Sequence, residues 1–435
     1  MSKFSVRTFG CRCNQADSAA IREGLCRRSM TEIENPLHAD IIIVNTCTVT
    51  HRSDQQVRQA IRRLRRENPA ACLVVTGCYA ERDPATLAAI PGVNYVVGNA
   101  DKERLPEILH DWRQDSPGQI FHAPIDGACG CLLPPMSQTG GKTRPLVKLQ
   151  DGCDAHCAYC IVPYVRGPGR SARPEDVVAE VRSLAAQGFQ EIVLTGVHLG
   201  AFEIQEEIQG HPRLVDLLRQ IVEIPDLGRV RLSSIEPMHF DLALIDLAAR
   251  SPVFARHFHI PLQSGSDRIL RRMRRPYTAA RFRDLLRRIQ EVMPDAGIGT
   301  DVLVGFPGET EEDFSETCAL IRELPLAYLH VFPFSPREGT EAFSLSGRIP
   351  SKVMKERLNQ LLTLSRAKSL AFRSRFAGHV LPAITLAREE ELGASIALTG
   401  NYIRVRIPGL AVSPNRLVNI RIEDIRPDAT FGRIV

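Results

Sequence analysis

Lys148-Leu-Gln-Asp-Gly-Cys-Asp-Ala-His-Cys-Ala-Tyr-Cys-Ile-Val-Pro-Tyr-Val-Arg166 sets three cysteines, Cys153, Cys157 and Cys160, within eight residues of one another. Thiolates are soft ligands that suit iron-sulfur clusters, zinc or copper(I). A four-iron cluster normally takes four of them, so a close set of three leaves one iron free to bind a small molecule. On spacing alone, a zinc site completed by His156 or by a distant cysteine is the alternative.

The chain downstream of this stretch places it in a fold. From about residue 139 an alternation of strand and helix can be counted six times. The strands are expected near Val147–Leu149, Ile192–Thr195, Val230–Ser234, Phe258–Leu262, Gly299–Val304 and Leu329–Phe334. The helix at Pro174–Ala186 shows the pattern: Pro at its first position, Glu175 and Asp176 in its first turn, an apolar stripe, and Gly188 as the stop. Six such units predict an incomplete TIM-like (β/α)6 barrel. The cysteine loop follows its first strand and so lies at the C-terminal mouth, where such barrels keep their chemistry. Polar groups end the other strands there: Thr195 and Gly196, Ser233 to Glu236, Gln263 to Ser266, and Asp301. A buried Glu236 or Asp301 would serve a cationic ligand or a neighbouring arginine equally well.

Upstream, residues 1–112 alternate strands and amphipathic helices, one of the helices over Asp83–Ile90, which predicts a doubly wound parallel sheet. Cys11 follows the first strand (Thr8-Phe-Gly-Cys11), Cys47 the second (Val44-Asn-Thr-Cys47) and Cys78 the third (Val75-Thr-Gly-Cys78). Parallel strands bring all three thiols to one edge of the sheet, where such sheets bind ligands, and this predicts a second three-thiolate site. Cys13 stands close enough to Cys11 to compete with it. Residues 113–138, rich in Gly and Pro, read as a linker that carries Cys129 and Cys131 as incidental thiols. Residues 139–370 form the barrel core, ending in a basic helix. Residues 371–435 break into short strands that predict a small all-β barrel. The whole is an α/β chain.

The 435 residues carry a formal net charge of +5, which fits many partners. Two arginine runs, Arg58 to Arg66 and Arg268 to Arg275, together with a terminal β-barrel, favour a nucleic-acid partner. The first residues lack a secretory run and no stretch is long and apolar enough to span a bilayer, so no membrane is expected and the cytoplasm is. There, twelve cysteines point to metal or redox roles more than to disulfides. Cys26, Cys72 and Cys318 fall on amphipathic positions and read as core. No Ser-His-Asp order or phosphate loop argues for a hydrolase.

The order of these parts resembles the radical S-adenosylmethionine (SAM) methylthiotransferase family, across essentially the whole chain. The anchors are Thr8-Phe-Gly-Cys11, Asn45-Thr-Cys47, Thr76-Gly-Cys78, the Cys153 loop with Tyr159 before its last cysteine, Gln263-Ser-Gly-Ser266 and Gly305-Phe-Pro-Gly-Glu-Thr310. Among its branches the chain looks most like the one acting on N6-threonylcarbamoyladenosine in tRNA. Asn45-Thr-Cys-Thr-Val-Thr50, Leu194-Thr-Gly-Val-His-Leu199, Ser233-Ser-Ile-Glu-Pro237, His259-Ile-Pro-Leu-Gln-Ser264 and Leu329 to Thr340 carry that likeness. Cys13 departs from the branch, which usually has no thiol there. Other branches act on isopentenyladenosine in tRNA or on a ribosomal protein; a non-catalytic metal-containing RNA-binding protein is the reading outside the family.

The resemblance implies two 4Fe-4S clusters, one on Cys11, Cys47 and Cys78 and one on Cys153, Cys157 and Cys160. SAM would sit on the second, near Tyr159, Thr195, Gly196 and Glu236, and be cleaved there to a radical that takes hydrogen from adenine C2. The first would supply sulfur, methylated by another SAM. A TRAM-like C-terminal barrel would grip the tRNA. The implied partners are tRNA, an electron donor such as flavodoxin or ferredoxin, and a sulfur source.

Overall fold

The computed structural model describes residues 2–110, 112, 118–125, 143–203, 213–387, 393–409 and 411–435. Cys129 and Cys131 lie outside them.

The N-terminal sheet contains β1 (Lys3–Thr8), β2 (Thr31–Glu32), β3 (Ile41–Thr46), β4 (Cys72–Gly77), β5 (Tyr95–Val97) and β6 (Gln119–Phe121), all parallel in the order β2-β1-β3-β4-β5-β6. The chain leaves β1 toward one edge and returns across it to β3, so the strand order reverses between β1 and β3. Crevices at such switch points are where doubly wound sheets bind ligands. β3 and β4 are buried along their whole length, and helices Arg12–Arg27 and His51–Glu67 cover the sheet. The second helix starts where Thr50 accepts from the Ser53 amide and Ser53 answers it, a capping box.

Two expectations change here. The stretch 113–138 contributes a strand, β6, which adds to the sheet edge at Tyr95–Val97; three residues flanked by Gly and Pro carry no period that sequence reading could detect. The helix expected over Asp83–Ile90 is two short ones, Cys78–Arg82 and Pro84–Ala88, with Asp83 capping the second.

The central sheet runs β7 (Leu146–Asp151), β9 (Glu191–Gly196), β10 (Arg229–Leu232), β11 (His257–His259), β12 (Gly297–Val304) and β13 (Tyr328–Pro333), with β8 (Arg170–Ser171) antiparallel on the free edge of β7. The neighbours are parallel, and isolated bridges from Val230 to Phe254 and from Ser234 to His259 join the two halves. This is the open six-stranded barrel expected, with helices outside and one large apolar core. The fourth strand stops at His259, short of the expected Leu262, because Pro261 has no N–H to continue the ladder.

A 24-residue helix, Ser351–Ser374, then leads to β14 (Val380–Thr385), β15 (Ala394–Thr399), β16 (Arg404–Pro408), β17 (Leu417–Ile425) and β18 (Thr430–Ile434). These close as β14-β15-β16-β18-β17, a five-stranded TRAM-like barrel. It docks under the central sheet: Arg231 donates to the carbonyls of Thr399 and Gly400, each at 3.1 Å. A Cβ at Gly297 would come within 2.2 Å of the Asn401 carbonyl oxygen, so the docking needs glycine there. No described helix is long and apolar enough to cross a membrane.

Candidate functional site

Cys11, Cys47 and Cys78 stand beyond the carboxyl ends of β1, β3 and β4, three neighbouring strands. Glycine lets these loops meet. Gly10 has φ +107°, and a Cβ on it would lie 2.7 Å from Cys47 Cβ and 3.1 Å from Cys47 Sγ. Gly77 has φ +96°, and its Cβ would strike Asn45 Oδ1 at 2.4 Å. Asn14 ties the rim, its Nδ2 donating to the carbonyls of Phe9 (2.7 Å) and Thr46 (2.9 Å). Cys11 is exposed and lines an open cavity; its thiol is drawn down to about 6, chiefly by a hydrogen bond from Cys13, with Arg166 also favouring the thiolate against burial. Cys47 is pushed up to about 12 by burial and by Cys78. A metal binding there would therefore release protons.

The second triplet lies on the loop after β7. Gly152, at φ +73°, admits the carbonyl of Pro168, which a Cβ would meet at 1.9 Å, and Cys153 donates from its amide to Gly167 O at 3.1 Å. Burial and the neighbouring Cys157 push Cys160 up to about 12. Arg275 lies 3.2 Å from Cys157 Sγ, and its other end holds Glu236. His198 Nδ1 is 3.4 Å from Cys153 Sγ, and burial drives this imidazole down to about 4, so it is neutral. His156, the candidate fourth ligand of a zinc site, is exposed and faces Tyr164, with ring centroids 6.4 Å apart.

The two triplets are joined by buried charge. Arg166, at the end of the second loop, reaches Asp17 Oδ2 (2.9 Å) on the first cysteine helix and Asp151 Oδ1 (2.7 Å). Lys148 reaches both carboxylates (2.6 and 2.8 Å) and Lys102 reaches Asp17 (2.8 Å). Three cations face two carboxylates, one net positive charge beside three thiols that would become anionic on binding a metal. The cavity beyond, 460 Å³, opens from Cys11, Cys47 and Cys78 into the barrel lumen at Thr195, Gly196, Ser233 and Asp301.

The radical SAM superfamily model matches residues 147–321, and that of uncharacterized protein family UPF0004 matches residues 3–98. The threonylcarbamoyladenosine tRNA methylthiotransferase MtaB of Bacillus subtilis is 35% identical over 431 residues, spanning 97% of this chain and 94% of that protein. The chain belongs to the radical SAM methylthiotransferase family. MtaB of Aquifex aeolicus is 36% identical over 94% of this chain and 97% of its own. A tRNA-2-methylthio-N(6)-dimethylallyladenosine synthase of Geobacillus kaustophilus is 33% identical over 100% and 82%. Among solved structures, the radical SAM methyltransferase TsrM of Kitasatospora setae superposes with a TM-score of 0.55 over 79% of this chain and 77% of that one, at 18% identity, a likeness of fold.

The radical SAM methylthiotransferases use SAM and two 4Fe-4S clusters, and the residues here suit those groups. Each site offers three soft sulfur donors with a buried arginine close by, Arg166 at one and Arg275 at the other. Thr195 Oγ1 and Ser233 Oγ on the cavity wall and His198 Nε2 beside Cys153 have no hydrogen-bond partner among the described residues. Buried polar atoms of that kind call for a partner, whether water or a ligand.

Of the four residues expected near SAM, Thr195 and Gly196 line the cavity, and Tyr159, within the second loop, packs against an apolar cluster that includes Ile269, Met273 and Phe306. Glu236 is spent on Arg275, so it acts on any ligand through that guanidinium. Among the described residues Asp301 meets no arginine: His259 and His330 flank it, each at 3.2 Å, and against the effect of burial they hold its carboxyl down at about 2. The second arginine run is largely consumed internally, Arg268 by Asp313, Arg274 by Glu341 and Arg275 by Glu236. It offers a nucleic acid much less free charge than the sequence suggests. In the first run Arg58 donates to Tyr79 (2.6 Å) and Arg65 to Pro69 O (2.7 Å), while Arg62 and Arg66 are exposed.

Sequence reading missed Asp17, Lys148, Arg166, His259 and His330. A signal existed for the first two: a lysine inside the apolar strand Leu146–Asp151 and an aspartate on the buried face of a helix each demand a counter-charge. Cys13 is buried and donates to Cys11, the role of a supporting thiol. Changing Cys13→Ala is expected to leave the iron content at the wild-type value, as anaerobic iron analysis would read; loss of about four irons would make Cys13 a ligand.

Proposed function

We propose that this enzyme converts N6-threonylcarbamoyladenosine in tRNA to its 2-methylthio derivative. The observation that carries the reading is near-full-length similarity to two enzymes named for that nucleoside. The geometry supports it, since one cavity links the sulfur-binding edge of the first sheet to the lumen of the radical SAM barrel. When bound, SAM and the two clusters supply a radical that takes hydrogen from adenine C2 and the sulfur that replaces it.

The chain's own residues hold and exclude. Cys153, Cys157 and Cys160 would hold the SAM-binding cluster, with Arg275 balancing thiolate charge. Cys11, Cys47 and Cys78 would hold the other, with Arg166 beside it. Thr195 and Gly196 would contact SAM, Tyr159 would back the loop, and Glu236 would aim Arg275. The cluster unit, the barrel core and the TRAM-like unit would divide the labour, the last gripping tRNA. A one-electron donor of the flavodoxin or ferredoxin class and a sulfur source would complete the cycle, in the cytoplasm where tRNA is.

Deleting the gene tests the reading. Nucleoside analysis of total tRNA should show loss of the 2-methylthio form with its threonylcarbamoyl precursor retained. Persistence of that form in a strain with no second such enzyme refutes it. Loss of the dimethylallyl counterpart instead would place the chain with the other group of relatives.

A further inference from the structure

The cavity wall carries two guanidinium groups, Arg12 and Arg166, and one carboxylate, Asp301. Two are answered from the protein: Asp301 by His259 and His330, and Arg166 by Asp17 and Asp151. Arg12 donates to the Tyr402 hydroxyl at 3.2 Å, and among the described residues no carboxylate pairs with it.

Tyr402 holds this arginine in place. It comes from the C-terminal barrel, on the turn between β15 and β16, with φ +73°. Its ring stacks on His257 at 4.2 Å between centroids, and the Arg231 guanidinium lies 5.1 Å above it. A tyrosine so wedged gives Arg12 a fixed hydroxyl to lean on, and a cation fixed in advance loses less freedom when it binds.

We propose that Arg12 binds the carboxylate of the threonylcarbamoyl group on the target adenine, and so selects that nucleoside over one with a hydrocarbon at N6. The inference rests on threonylcarbamoyladenosine being the substrate. Threonine joined through its nitrogen keeps a free carboxylate, ionised at neutral pH, and a guanidinium matches a carboxylate with two parallel hydrogen bonds. Position agrees as well. Only N1 separates C2 from C6 in adenine, so a group that reads the N6 substituent must sit beside the site that delivers sulfur to C2, and Arg12 directly follows Cys11. A dimethylallyl group in the same place would leave the guanidinium desolvated and unpaired, which works against the wrong substrate.

The test compares holoenzyme binding to three otherwise identical anticodon stem-loop RNAs, carrying threonylcarbamoyladenosine, its methyl ester, or plain adenosine. Wild type is expected to prefer the free acid over both others by about tenfold to a hundredfold, the range of one charged hydrogen-bonded contact. Arg12→Gln should bring the three RNAs within about twofold of one another, and Arg12→Lys should fall between. Equal wild-type affinity for ester and acid would overturn the proposal without reference to any variant. So would an Arg12→Gln enzyme of normal iron content that keeps the preference. If it weakens all three RNAs alike, Arg12 binds a backbone phosphate and the proposal fails. The substrate reading fails separately, and takes this inference with it, if wild type forms no 2-methylthio product from the free-acid RNA.

Discussion

Replacing Cys153, Cys157 and Cys160 together by alanine is expected to remove about four of about eight irons and to abolish 5′-deoxyadenosine formation, while the remaining irons stay bound. The mirror variant, Cys11, Cys47 and Cys78 to alanine, should also lose about half the iron yet still cleave SAM. The asymmetry follows from where the ligands come from. One triplet belongs to the loop after β7, shaped by Gly152, and the other to the ends of β1, β3 and β4, shaped by Gly10 and Gly77. Neither set borrows a thiol from the other. No acid-base pair in the cavity could substitute, because adenine C2–H is not acidic enough for one, so methylthiolation should fall by ~10⁴-fold or more in both variants, at least ~5 kcal/mol of lost barrier lowering. Anaerobic iron and sulfide analysis beside chromatographic assay of 5′-deoxyadenosine reads both. A first variant that still cleaved SAM, or a parent holding only about four irons after reconstitution, would break the two-cluster assignment.

Where the two cysteine triplets lie could be read from the sequence because each placement is set by a local rule. A buried strand of β-branched residues followed by a polar residue or Gly and then Cys puts a thiol at a strand's carboxyl end, and parallel pairing does the rest. The helix Pro174–Ala186 was bounded correctly for the same reason: Pro, the first-turn acids and Gly188 are local signals. The features that escaped are set between distant elements. Periodicity assigns Lys148 to a strand and Asp17 to a helix face, but their separation of 131 residues hides that they meet. Tyr402 reads as the first residue of a short strand, Tyr402–Ile407, of a small β-barrel, whereas that strand starts at Arg404 and leaves Tyr402 on the turn before it; its place under the lumen of another barrel exists only after the two dock. His259 and His330 read as ordinary strand residues, because the pleat that turns them toward Asp301 depends on register.

Asp17 is where this hidden layer should show most strongly. Only 1% exposed, it accepts from Lys102, Lys148 and Arg166, three cations brought by three separate segments of chain. Burial alone would raise its carboxyl, but the three cations outweigh burial and hold it well below the usual carboxylate range. Asp17→Asn leaves those cations facing Asp151 alone, and a buried charge stripped of its partner typically costs ~3–5 kcal/mol. We expect the thermal midpoint of the holoenzyme to drop by roughly 10 °C. The exposed bridge from Arg283 and Arg287 to Glu323 provides the contrast, and Glu323→Gln should leave the midpoint where it was. The pH dependence has a definite sign. With its folded-state pKa depressed, Asp17 contributes its full stabilisation above its unfolded value of ~3.9 and loses it as pH falls toward the folded value. Wild type should therefore lose stability steeply below about pH 4, and Asp17→Asn should start lower and fall less. Parallel curves would mean that water reaches the network and screens it. In that case Arg166 would be held beside the cysteines by Asn14 and Asp151, and the union of the two sites would rest on shape more than on charge.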